Sequence, residues 1–172
     1  LVLAYPFLIY WGLTRFDARL AAGVMFGLFA LRLVVQRASH RGHKLMNFTP
    51  VFVAVSAICL TVFLLDDSSY FLYHPVLING IFLVSFALTL RSPPNMIARF
   101  AALTEPDFPP EGVAYCRKVT LVWCGFFILN GSTALVTALW TSLKTWTLYN
   151  GFISYLLMGL LFAIEYIIRL RV

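Results

Sequence analysis

The stretch "FFILNGSTALVTALW", residues 126–140, holds the contradiction that decides the fold. Asn-Gly is among the strongest short turn signals in a soluble chain. Here Asn130-Gly131 lies inside a run too apolar to turn. The same dipeptide recurs as Asn79-Gly80 within "PVLINGIFLVSFALTL" (75–90) and again as Asn150-Gly151. Either three turns cut the chain into short pieces, or polar points sit inside long helices.

Composition favours long helices. Of 172 residues, 61% are hydrophobic and 12% charged, and the mean hydropathy is +0.87. A soluble domain is typically about a quarter charged. The 16 Phe, 8 Tyr and 4 Trp exceed what a core of this size can hide. Long apolar runs separated by clustered charge predict a polytopic membrane protein. The expected fold class is an all-α membrane protein, a single polytopic domain over 1–172.

Six apolar segments follow along the chain: 1–14, 20–36, 48–65, 70–90, 119–140 and 152–168. Each approaches the ~20 residues needed to cross ~30 Å of hydrocarbon. The first is short as it stands and reads as truncated or re-entrant. Because the chain opens on Leu1, a few native residues are expected to precede it. "LVLAYPFLIYWGL" has the look of a signal-peptide core, but no small-residue cleavage site follows it. Alternate connectors carry unequal charge. Arg37, Arg41, Lys44, Arg91, Arg99, Arg117, Lys118, Arg169 and Arg171 fall on one side, against Arg15, Arg19 and Lys144 on the other. The positive-inside rule therefore puts both termini in the cytoplasm. Trp11, Tyr70, Tyr73, Trp140, Trp146 and Tyr149 are then expected in an aromatic belt at the outer interface.

In that frame Asn79 and Asn130 fall near mid-span. A hairpin there would leave peptide groups unbonded in lipid at several kcal/mol apiece, so both sites are expected to be helical. Asn150-Gly151 is read as a true turn before the last span. Consecutive spans are antiparallel, so Asn79 and Asn130 reach similar depth and can pair directly. They act either as interhelical glue, worth about 0.6 to 2 kcal/mol, or as the polar wall of a cavity for a headgroup or ion. Asn130, Ala134 and Ala138 line one small-residue face. Gly23 and Gly27 make a GxxxG, and Gly159 with Ala163 a looser version.

Two charges fall inside spans, Arg32 and Glu165, at similar depth. They are read either as a proton-carrying or general-base site or as an Arg32–Glu165–Arg169 cluster with snorkelling arginines. His40 and His43 form an H-x-x-H without the further ligands zinc requires. His74 precedes Pro75, near Asp66 and Asp67, and suggests an outer cation or pH-sensing site or a proline-initiated helix. Cys59, Cys116 and Cys124 have no metal spacing and read as reduced thiols. No nucleotide or cofactor motif is present. The net charge of +6 is placed at segment ends rather than on one soluble face, which argues against nucleic acid.

The connector 91–118, "RSPPNMIARFAALTEPDFPPEGVAYCRK", is the most distinctive polar stretch. Ser92 and Pro93 read as N-cap and first helical position. Met96, Ile97, Phe100 and Leu103 recur at helical spacing, which predicts an amphipathic helix over about 93–104 in the cytoplasmic interface. "TEPDFPPEG" then stops it as a stiff acidic loop, either a tether or a docking element.

Three motifs, "PPNMIARFA", "EPDFPPEGVAYCRKVTLVWCGFFILNG" and "WTLYNGFISYLLMGLLFAIEYIIR", resemble a family of bacterial inner-membrane proteins. Its genes lie among those for acyl carrier proteins, ketosynthases, acyltransferases and exporters of aryl-polyene-type lipids. The resemblance covers about residues 70–170. Some members are labelled ketosynthase, which this chain contradicts, having neither a soluble α/β body nor a Cys-His-His arrangement. The helix layout is also distantly similar to the intracellular septation protein A family. Neither resemblance carries catalytic residues.

The resemblance implies a non-enzymatic membrane component that assembles, anchors or hands over lipid-linked envelope products. Arg99, Arg117 and Lys118 are the candidate contacts for an acyl carrier protein, an exporter subunit or anionic headgroups. The alternatives are a small lipid transporter or membrane-embedded enzyme working through Asn79, Asn130 and Glu165, and a purely structural exporter subunit.

Overall fold

The computed structural model describes residues 56–61, 64–65, 67–104 and 110–169, together with Gly23 and Gly27; no strand occurs among them. Among the described residues three helical runs are long and apolar enough to cross a membrane: Ser69–Arg91, Gly112–Trp140 and Leu143–Arg169. They cover the spans expected at 70–90, 119–140 and 152–168. The expected spans 1–14 and 20–36 lie outside the described residues, except that Gly23 and Gly27 are helical. Within 48–65, residues 56–61 and 64–65 are described, also as helix. Arg32, Trp11, His40, His43, Asp66 and the acidic loop around 105–109 lie outside the description.

The first run opens with a 3-10 turn, Ser68–Tyr73, whose N-cap Asp67 accepts the Ser69 amide at 2.9 Å. The Ser69 hydroxyl and amide together hold the Asp67 carboxyl below its usual range. Helix α1 (His74–Arg91) follows, with Pro75 in its first turn. A proline there forfeits an N–H that had no intrahelical partner anyway.

Helix α2 (Met96–Thr104) starts three residues later than Ser92 and Pro93 suggested. Ser92–Pro94 instead forms a bend that includes a cis Pro93–Pro94 peptide bond. Asn95 is the cap: its Oδ1 accepts the Ala98 amide at 3.1 Å and its carbonyl accepts the Arg99 amide at 3.0 Å. An Asx side chain reaching the third amide beyond it does what Ser92 was expected to do.

Helix α3 (Pro110–Trp140) has 31 residues. At 1.5 Å per residue that is about 46 Å, well beyond the ~30 Å hydrocarbon thickness. The end of the expected connector is therefore the first turns of a long helix. Chain reversal comes at Thr141 and Ser142, where the Ser142 hydroxyl accepts the Thr145 amide at 3.2 Å and caps α4 (Leu143–Leu148).

The expected turn at Asn150-Gly151 does not occur. Helix α4 continues through a π-helical turn, Tyr149–Ile153, in which the Ser154 amide bonds the Tyr149 carbonyl five residues back, and then becomes α5 (Ser154–Arg169). A wider turn keeps every backbone group bonded inside the helix, which lipid demands. All three Asn-Gly pairs are thus helical.

The antiparallel pair α1 and α3 makes the largest helix contact, and α2 packs across α3. Their shared core joins Phe86, Met96, Val119, Trp123, Cys124 and Phe127. Phe127 stacks on Phe82 at 5.4 Å between ring centroids and meets Phe86 edge-on at 5.2 Å. Each such pair adds about 0.5–1.5 kcal/mol beyond the area it buries. The outward faces are equally apolar: Leu129, Leu156, Leu160 and Ile167 are all exposed. A continuous exposed apolar surface is unstable in water and natural in lipid.

The small-residue faces divide. Ala134 is fully buried beside Asn130, as the 130/134/138 stripe predicted. Gly23, Gly27, Gly80 and Gly159 have open space where a Cβ would stand, so none of them marks a close approach to a described residue. Gly131 does: a Cβ added there would lie 3.0 Å from the Asn79 Cβ.

Candidate functional site: a polar-ended cavity between the helices

The asparagines of the first two Asn-Gly pairs meet. Asn130 Nδ2 donates to Asn79 Oδ1 at 3.1 Å, and both residues are buried. The same amide donates to Ser154 Oγ at 3.1 Å, while the Tyr149 hydroxyl donates to Asn130 Oδ1 at 2.9 Å. Asn79 Nδ2 turns back to the Pro75 carbonyl at 2.8 Å. One amide therefore ties α1, α3 and the π turn together at a single depth. Glycine at 131 makes this possible by letting the backbone of α3 come close to Asn79.

Asn150 extends the network. Its Nδ2 donates to Thr137 Oγ1 at 3.2 Å and to the Trp146 carbonyl at 3.0 Å. Trp146 is fully buried, and its indole donates to the Leu72 carbonyl at 3.1 Å. Trp146 and Tyr149 thus face inward, not into the expected interfacial belt. Trp140 is 75% exposed. Trp146, Asn150, Ser154 and Met158 recur every four residues, a stripe that was legible had the Asn-Gly pair not been read as a turn.

Beside this network lies a cavity of about 440 Å³, within the 300–1,000 Å³ usual for small-molecule sites. Its lining is predominantly apolar, with His74, Asn79, Asn130, Asn150 and Ser154 marking one end. The rest is largely aromatic, with Phe82 and Phe86 from α1, Trp123 and Phe127 from α3, and Met158 and Phe162 from α5. Ile97 and Phe100 of α2 line it as well. From His74 to Phe86 the α1 wall runs twelve residues, about 18 Å. Helix α5 meets the Trp123 ring through Phe162 at 4.5 Å. Phe162, part of the cavity wall on the α5 side, is itself 57% exposed.

The side of α2 facing away from the cavity is fastened by hydroxyls. Thr89 Oγ1 accepts the Met96 amide at 2.9 Å, and buried Thr120 donates to Asn95 Oδ1 at 3.0 Å. Met96 and Ala98 are buried accordingly. Neither threonine was singled out in the sequence, where both look like ordinary span residues.

The remaining candidates are scattered. Glu165 is half-buried on α5, and its backbone carbonyl accepts the Tyr115 hydroxyl at 3.3 Å. Arg169 lies 5.9 Å from the Tyr166 ring centroid. Neither lines the cavity. Arg99 is engaged by its own bend, donating from Nε to the Pro94 carbonyl at 2.8 Å and from an Nη to the Ser92 carbonyl at 3.3 Å. Arg117 and Lys118 are exposed on the first turns of α3. The cysteines Cys59, Cys116 and Cys124 are free and buried. No three His, Cys, Asp or Glu side chains converge among the described residues. Comparison with protein-family models, curated proteins and solved structures finds no match for the chain.

Proposed function

We propose that this chain is a non-enzymatic integral membrane protein that holds a single lipid-like chain between its helices and passes it on. The observation that carries the reading is the cavity of about 440 Å³, polar at one end and aromatic over the rest. An elongated amphiphile matches such a site in shape and in polarity. The saturated bonding of Asn130, which serves Asn79, Ser154 and Tyr149 at once, supports a positioning role over chemistry. A wall residue that is also exposed outward, Phe162, supports entry from the bilayer.

In this reading the chain crosses a bacterial inner membrane six times, with both termini cytoplasmic and α2 lying at the cytoplasmic surface. The nine-to-three charge asymmetry supports that orientation. Arg117 and Lys118 then face the cytosol, where an acidic partner such as an acyl carrier protein, or an exporter subunit, delivers or collects the lipid-linked product. Native mass spectrometry of the protein, gently extracted from its host membrane, tests the reading. A stoichiometric lipid adduct, joined by an acidic protein that is lost on charge reversal at Arg117 and Lys118, is the expected result. A protein that carries neither would overturn it.

A further inference from the structure

We infer that the polar end of the cavity takes an uncharged headgroup that both donates and accepts hydrogen bonds, such as the hydroxyls of a monoacylglycerol or a fatty amide, and rejects phosphate-headed lipids. This rests on the lipid-holding reading and narrows it to a ligand class.

Two observations carry it. The first is charge: no Lys, Arg, Asp or Glu is among the described residues lining the cavity. The polar side chains in its lining are three amides, two hydroxyls (Ser154 and Tyr155) and one imidazole. A phosphate brought there would meet no cation among the described residues, and an unpaired buried charge is strongly unfavourable.

The second is what the internal network leaves over. Asn150 is only 4% exposed, and both bonds of its side chain are made by Nδ2. No donor among the described residues meets its Oδ1, and no fully buried side-chain polar atom lacks a partner. The Oδ1 is therefore open to the cavity as an acceptor. Ser154 Oγ accepts from Asn130, which leaves its hydroxyl proton to donate. One acceptor and one donor, a helical turn apart on the same wall, suit a hydroxyl or amide. The attached chain then runs toward Phe82, Trp123 and Met158.

The test adds two probes with the same dibrominated C18 chain to the full-length protein in detergent: a monoacylglycerol and a lysophosphatidic acid. Bromine quenches nearby indoles, and Trp123 lines the chain half of the cavity. The component of quenching lost in Trp123→Phe reports occupancy. Retention of the same two lipids in native mass spectra gives a readout independent of that variant. Saturable quenching by the monoacylglycerol, at a concentration at least about tenfold below the lysophosphatidic acid, is expected from the unpaired-charge penalty. Equal binding of the two would overturn the neutral-head assignment while leaving a chain site. No saturable binding of either would overturn both this assignment and the lipid-holding reading.

Discussion

Asn130 is the residue on which most of the molecule converges. Its side chain bonds residues on α1, in the π turn and at the start of α5. Buried side-chain hydrogen bonds between membrane helices average about 0.6 kcal/mol each, so Asn130→Leu should cost about 2 kcal/mol. Equilibrium unfolding in mixed micelles would measure it. Its neighbour separates packing from mere glycine content. Gly131→Ala must push α1 and α3 apart against the Asn79 Cβ, at about 1–3 kcal/mol. Gly80→Ala meets nothing within 4 Å and should leave stability unchanged or raise it by up to about 1 kcal/mol, alanine being the better helix former. Equal losses in the two alanine variants would show that the close approach at Gly131 is not what the dipeptide provides.

Among the elements, α2 is the one whose attachment is polar rather than apolar alone. Thr120 and Thr89 hold its first turn through Asn95 and the Met96 amide. Thr120→Val keeps the side-chain shape and removes the hydroxyl. Amides of residues 96–104 should then exchange with solvent at least about tenfold faster, a loss of roughly 1.4 kcal/mol in local opening. Exchange in the middle of α3 should stay unchanged. How far each element was legible follows from its physics. The depth and pairing of Asn79 and Asn130 could be read because lipid forbids a mid-span turn and antiparallel succession fixes relative height. Asn150-Gly151 was misread because it stands near a span end, where the same dipeptide is a permissible turn. Only the fourfold recurrence of Trp146, Asn150, Ser154 and Met158 shows that the helix continues. The start of α2 was misplaced by three residues because Ser92-Pro93 and Asn95 are both plausible caps, and only Asn95 also has Thr120 to bond.

At the scale of the whole molecule, three long helices with apolar outer faces enclose one cavity that is polar at one end. The outer faces were legible from composition. The cavity was not, since its walls come from four helices and its aromatic half looks in sequence like any lipid-facing stretch. Its existence depends on α5 meeting α3 through the Trp123 and Phe162 rings, and no local pattern encodes that spacing. Filling the cavity should remove its function without breaking the polar network that holds the helices. Met158 faces the cavity one turn beyond Ser154 and makes no side-chain hydrogen bond, which makes Met158→Trp the suitable substitution. The most direct measurement is the lipid carried by wild-type protein and by Met158→Trp, extracted side by side in mild detergent and compared by native mass spectrometry. The account predicts one retained lipid per wild-type chain, its loss from the variant, and an unchanged unfolding midpoint for both after delipidation. A wild-type chain that carries no lipid, or a filled variant that retains it equally well, would contradict the account.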